Sequence, residues 1–214
     1  MVSKQDIYSK IIETCPIKGQ DIAIMQSLRY LDMGLPILFY GPPGCGKTSL
    51  AEHILKSVSH KSSYLKIEAT EGMTEYQLVG GFHPLALSGS AKLSSQYVFK
   101  EGVVTRALKA GKNLLIDEFT RAPSSAYAGL FLLLSTGELP VEYEEEVVKK
   151  PEDWVLIVTA NIGDEGTFRL SSALKRRFIP IFIGYPPRKV EKTVLMSRAS
   201  DCPEKVIDVI LDFG

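Results

Sequence analysis

The run Gly41-Pro42-Pro43-Gly44-Cys45-Gly46-Lys47-Thr48-Ser49 matches the spacing G-x-x-x-x-G-K-[ST] in full. Glycines at those offsets let the backbone curl with its N–H groups inward, which is what a polyphosphate needs. The types at the end of the run have separate tasks. Lys47 would reach the β- and γ-phosphate oxygens, and the Thr48 hydroxyl would ligate the magnesium ion that bridges them. Cys45 is an uncommon occupant. A thiol opening a helix in an electropositive pocket is expected to have a lowered pKa, so Cys45 reads either as the chain's most reactive cysteine or as an inert small filler.

A second cluster of chemistry lies at Asp117-Glu118, where the apolar run Asn113-Leu114-Leu115-Ile116 ends. If that run is a strand of a parallel sheet, both carboxylates leave it at the carboxyl end, where such sheets bind ligands. Asp117 would hold a magnesium-bound water and Glu118 would polarise the attacking water. Without the upstream loop the pair would read as an Asp-Glu turn. Asn161 follows another apolar run, Trp154 to Ala160, and could orient the attacking water or touch the γ-phosphate; a turn asparagine is the alternative. Lys175, Arg176 and Arg177 crowd the last turn of a segment, Ser171 to Phe178, that opens on capping residues.

These groups need a scaffold, and the apolar pattern predicts one. Leu35 to Tyr40 reads as a strand before the loop, and Leu50, Ala51, Ile54, Leu55 and Val58 recur at helical spacing after it. Ser63 to Glu68, Asn113 to Glu118, Trp154 to Ala160 and Ile179 to Ile183 are further strands, the last at an edge because of Pro180. Helices are predicted over residues 3–13, 20–33, 73–79, 102–111 and 123–135, with amphipathic segments over 190–200 and 204–213. The turn between the first two helices makes Ile17 and Gly19 candidates for contacting adenine, although core packing by Ile17 beside a turn glycine explains them equally well. Gly80 to Gln96 is irregular and too long for a connector; it reads as a hairpin returning through Tyr97 to Phe99. The acidic run Glu142, Glu144, Glu145 and Glu146 reads as a solvated hairpin.

Composition excludes several classes. A chain of 214 residues with 45% hydrophobic content can bury a sizeable core. Its 25 basic and 25 acidic residues give no general field for nucleic acid. Cys15, Cys45 and Cys202 are scattered, as are His53, His60 and His83, which supports neither a disulfide framework nor a zinc site. No run is long enough for a membrane helix and the polar start is no secretory signal, so the expected location is the cytoplasm.

With the phosphate loop, Asp117-Glu118, Asn161 and Arg176-Arg177-Phe178 in this order, the chain resembles the AAA+ ATPases. Within them Leu78-Val79-Gly80-Gly81, Lys100 to Leu108 and Asp117-Glu118-Phe119-Thr120-Arg121-Ala122 look like the MoxR-like group, which includes the CbbQ and GvpN proteins. The resemblance implies an α/β P-loop NTPase fold: a three-layer sandwich whose five-stranded parallel sheet has the order 5-1-4-3-2, with a hairpin inserted before the catalytic strand. Residues 1–185 would form the nucleotide-binding domain and residues 186–214 the start of a truncated helical lid. It further implies ATP and Mg2+ as cofactors, Asn161 as first sensor, and Arg176 and Arg177 as the arginine-finger region acting on a neighbour's ATP. The expected partners are other copies in a hexameric ring and a protein, often bearing a von Willebrand A domain, that is remodelled or matured. An ATP-dependent binding switch with little turnover and an NTPase acting on nucleic acid are the competing readings.

Overall fold

A computed structural model of the chain describes residues 4–58, 63–82, 99–141, 146–162, 176–199 and 202–213. Two helices, α1 (Lys4–Thr14) and α2 (Asp21–Asp32), precede β1 (Ile37–Gly41), the phosphate loop and α3 (Lys47–Val58). Then come β2 (Tyr64–Glu68), a single turn α4 (Glu75–Leu78), the short strands β3 (Gly80–Phe82) and β4 (Phe99–Glu101), and α5 (Val103–Lys109). Next are β5 (Asn113–Asp117), two 3-10 turns (Phe119–Arg121 and Ser124–Tyr127), α6 (Ala128–Thr136), β6 (Glu138–Val141) and β7 (Glu146–Lys149). The described residues end with β8 (Leu156–Asn161), β9 (Ile179–Phe182), α7 (Arg188–Arg198) and α8 (Glu204–Phe213).

Five strands make one parallel sheet in the order β2-β5-β8-β1-β9. Numbering only these strands along the chain, this is the expected 5-1-4-3-2 read from the other edge. The central strands are apolar on both faces because both are covered. Ile37, Phe39, Leu115, Ile157 and Ile181 pack under α1, α2 and α3, whereas Leu38, Leu114, Ile116, Leu156 and Val158 pack under α5 and α6. The buried stripe Leu50, Ala51, Ile54 and Leu55 of α3 is the predicted helical face. β9 is an edge strand. Ile179 and Ile183 donate inward to Pro36 O and Tyr40 O at 2.9 and 2.8 Å, so Pro180 occupies an outward position where the ladder needs no donor.

The two expected hairpins differ in how much is described. β3 and β4 pair antiparallel and form the base of the insert; of the expected returning arm, Tyr97 to Phe99, Phe99 is described and lies in β4, while residues 83–98 lie outside the described residues. β6 and β7 pair antiparallel around the acidic run, with 142–145 also outside. The helix expected over 73–79 shrinks to one turn, capped reciprocally by Thr74 and Gln77. The helix over 123–135 starts as a 3-10 turn, where Tyr127 donates its hydroxyl to Phe119 O at 2.8 Å. Of the segment Ser171 to Phe178 only 176–178 is described. Arg176 and Arg177 form a turn there, the rest of the expected helix lying outside the described residues, and Phe178 is anchored edge-on against Phe119, ring centroids 5.4 Å apart.

Candidate functional site

The carboxyl ends of β1, β5 and β8 gather the loop, the acidic pair and the amide. β1 closes on Gly41, where any Cβ would lie 1.9 Å from the carbonyl oxygen of Ile183, so the crossing with the end of β9 admits only glycine. Gly44 and Gly46 adopt φ of 76° and 90°, which side chains rarely adopt. A Cβ on Gly44 would meet open space, leaving that side of the curl to a ligand. Lys47 then starts α3, adding the positive end of the helix dipole. The Lys47 ammonium is buried and folds across the loop, donating to Pro42 O at 2.6 Å and Gly41 O at 3.1 Å.

Of the two readings of Cys45, its burial favours the small filler. Its thiol is 5% exposed and points away from the curl, shared between Pro42 O and Ile183 O, each 3.1 Å from the sulfur. The Lys47 ammonium lies 3.7 Å from the same sulfur, so Cys45 ties the loop to the end of β9 and to Lys47. The more exposed thiol is that of Cys202, and burial pushes the Cys15 thiol up.

Asp117 is buried and heavily engaged. Its Oδ1 accepts from Thr48 at 2.8 Å and from Thr159 at 2.5 Å, and its Oδ2 pairs with the Lys66 ammonium at 3.1 Å. Burial alone would raise its pKa, but the hydrogen bonds from Thr159, Thr48 and Lys66 and the Lys66 charge outweigh it and hold the carboxyl below its ordinary value. The Thr48 hydroxyl and the Asp117 carboxylate are hard oxygen donors side by side, which suits magnesium held through one side chain and an outer-sphere carboxylate.

Glu118 is the one non-glycine residue with positive φ among those described, at φ 54° and ψ 38°. Its N–H donates to the Thr159 hydroxyl at 3.0 Å, so Thr159 bridges the two acids. Both carboxylate oxygens lie 3.0 Å from the Asn161 amide nitrogen, and Arg121 Nε is 3.4 Å from Oε2. Asn161 therefore stands at the end of β8, the strand beside β5, and against the Glu118 carboxylate.

The adenine candidates separate. The Ile17 side chain packs against Gly46, where a Cβ would lie 3.2 Å from it, and so borders the loop. Gly19, at φ 81°, instead faces Pro186, Pro187 and Val190, which a Cβ there would meet at 3.5–3.6 Å. Gln20 ties the same turn to Gly184 O at 2.9 Å. Arg177 is brought to α6: its Nε donates to Ser135 Oγ at 3.0 Å and its guanidinium carbon lies 5.7 Å from the Phe131 ring centroid, while Arg176 is exposed beside it.

Four participants escaped the sequence reading: Thr159, Lys66, Arg121 and Tyr185, whose hydroxyl donates to Pro43 O at 2.8 Å. Thr159 left a signal, since a hydroxyl inside an otherwise apolar buried strand asks for a partner.

A parallel sheet in this order with such a loop between β1 and α3 defines a P-loop NTPase domain. Residues 36–178 match the model of the AAA domain family, dynein-related subfamily, and the chain belongs to that family of ATPase domains. It is 32% identical over 203 residues to the protein YojN of Bacillus subtilis, covering 94% of this chain and 65% of that protein. A protein of Staphylococcus epidermidis is 28% identical over 202 residues, covering 92% of this chain and 74% of that one. A crystal structure from Cytophaga hutchinsonii, described there as a "putative ATPase", superposes with a TM-score of 0.65 at 20% identity, over 92% of this chain and 56% of that one; it shares the fold. Among the described residues no helix is long and apolar enough to cross a membrane.

Proposed function

We propose that the chain is a magnesium-dependent ATPase of the MoxR-like group, working as a ring of copies in the cytoplasm to remodel or mature a partner protein. The observation that carries the catalytic part is the linked pair of contacts at the strand ends: Thr48 on Asp117 at 2.8 Å, and Asn161 on Glu118 at 3.0 Å. Residues 1–185 would be the nucleotide-binding unit and 186–214 the start of a lid. Gly41 to Ser49 would wrap the phosphates with backbone N–H groups, Ile17 would border the base, and Lys47 would exchange its two carbonyl partners for β- and γ-phosphate oxygens. Thr48 and Asp117 would hold magnesium, which supplies charge neutralisation across those oxygens when bound. Glu118 would accept a proton from the attacking water while Asn161 fixes the carboxylate's direction.

Arg176 and Arg177 would act on the neighbour's γ-phosphate, a contribution of roughly 10³ to 10⁵ in rate for such fingers. Phosphate release is the test. Activity per chain should rise with protein concentration, and mixing Glu118→Gln with an Arg176→Ala/Arg177→Ala double variant should restore part of it. Activity flat over a hundredfold concentration range, with no rescue, counts against fingers in trans. A second reading, an ATP-dependent switch that barely turns over, draws support from the way Asn161 and Arg121 together occupy the Glu118 carboxylate. Partner capture by Glu118→Gln in ATP, absent in ADP, tests remodelling.

A further inference from the structure

Lys66 belongs to none of the motifs, yet its ammonium is the cation that Asp117 Oδ2 meets. On β2 it stands in register with Leu115, one step along the same sheet face from the pair Glu68 and Asp117. The even residues of β2 face α3, while Leu65 and Ile67 pack on the opposite side of the sheet. Lys66 thus reaches diagonally, 3.1 Å from Asp117 Oδ2 and 3.1 Å from Glu52 Oε1 on α3. Glu52 in turn lies on the helix that Lys47 and Thr48 begin. The loop helix, the edge strand and the catalytic strand are joined by one chain of contacts, Glu52–Lys66–Asp117–Thr48.

Two properties argue that this chain does more than neutralise charge. First, Asp117 stands directly opposite Glu68 in the register, and like charges side by side repel, so an unrestrained carboxylate would turn away. Second, the two oxygens of Asp117 are sorted by partner: hydroxyls of Thr48 and Thr159 on Oδ1, the ammonium on Oδ2. Sorting of this kind fixes rotation about the Cβ–Cγ bond and keeps Oδ1 beside the Thr48 hydroxyl.

We propose that Lys66 is a positioning residue for the metal site: held by Glu52, it locks Asp117 so that one oxygen is presented with Thr48 to a divalent cation. The proposal rests on the magnesium-ATPase reading. Outer partners of metal ligands commonly set affinity by about 10- to 100-fold, and because Lys66 is exposed the low end, about tenfold, is expected. A charge-only role has the opposite sign, since deleting a cation near the site strengthens its attraction for Mg2+.

The experiment titrates Mg2+ against binding of a fluorescent ADP analogue, with EDTA as the metal-free reference, for wild type, Lys66→Met, Lys66→Arg and Glu52→Gln. The Mg2+ concentration for half-maximal enhancement of binding should rise about tenfold in Lys66→Met, return most of the way in Lys66→Arg and take an intermediate value in Glu52→Gln. Affinity in EDTA should not change. An unchanged or lower Mg2+ requirement in Lys66→Met overturns the proposal, as does an equal loss in EDTA, which would mark a general structural role. If wild type binds the analogue with no response to Mg2+, the magnesium reading itself fails and takes this one with it. Lys66→Arg and Glu52→Gln keep the test decisive should Lys66→Met not fold.

Discussion

Replacing Glu118 by alanine and by glycine isolates the backbone strain at the centre of the site. At φ 54° a residue with a Cβ meets the steric cost of the left-handed region, about 1–2 kcal/mol. Glycine avoids that cost but loses more chain freedom on folding, about 0.5–1 kcal/mol. Both variants lack the carboxylate, so the lost contacts with Asn161 and Arg121 cancel in the comparison. The difference leaves Glu118→Gly more stable than Glu118→Ala by about 0.5–1 kcal/mol, the reverse of the order in an ordinary strand or helix. For a domain of this size that is a melting-temperature gap of roughly 2 °C, readable by thermal unfolding and confirmed by urea midpoints. An alanine variant as stable as the glycine variant, or more so, would refute the strained geometry at Glu118.

Gly41→Ala sets a Cβ 1.9 Å from the backbone oxygen of Ile183, so β1 and β9 must part; we expect a stability loss of about 2 kcal/mol or more by urea unfolding, and a variant melting like wild type would show the crossing to be looser. Limited alkylation followed by mass spectrometry should label Cys202 first and spare Cys45 and Cys15 in the folded protein; labelling of Cys45 at the rate of Cys202 contradicts the buried, doubly bonded thiol. Asp117 has a lowered pKa in the fold, so its ionised form contributes stability that is complete above its unfolded value of about 3.9 and is lost as pH falls through the folded value. The stability of wild type relative to Asp117→Asn should hold at about pH 6 and shrink toward about pH 3, and urea midpoints that move in parallel would overturn the sign.

Strands were the most legible part of the chain because those of the central sheet are covered on both faces, which leaves unbroken apolar runs such as Leu114 to Ile116. Strand order came only through the resemblance, since no local pattern says that β8 lies between β5 and β1. The loop, Asp117, Glu118 and Asn161 were legible because motif spacing and strand ends coincide. Lys66 was not: a lysine on the alternating edge strand looks like any solvated residue until register brings it diagonally to Asp117. Cys45 was left with two readings because loop spacing says nothing about which way a side chain points, and here the thiol is buried against the Ile183 carbonyl. The left-handed backbone of Glu118 has no signal in composition; it arises because Thr159 takes the Glu118 N–H while Phe119 packs against Tyr127 and Phe178.

The division of labour between the loop and the acidic pair is tested most directly by measuring ATP binding and phosphate release side by side in Lys47→Ala and Glu118→Gln. Removing the Lys47 charge should weaken binding about tenfold or more, as loss of a charged hydrogen bond does. Glu118→Gln should bind ATP within about threefold of wild type and lose at least about a hundredfold in turnover, because only water activation is touched. Equal loss of binding in both variants, or Glu118→Gln turning over at the wild-type rate, would contradict the account.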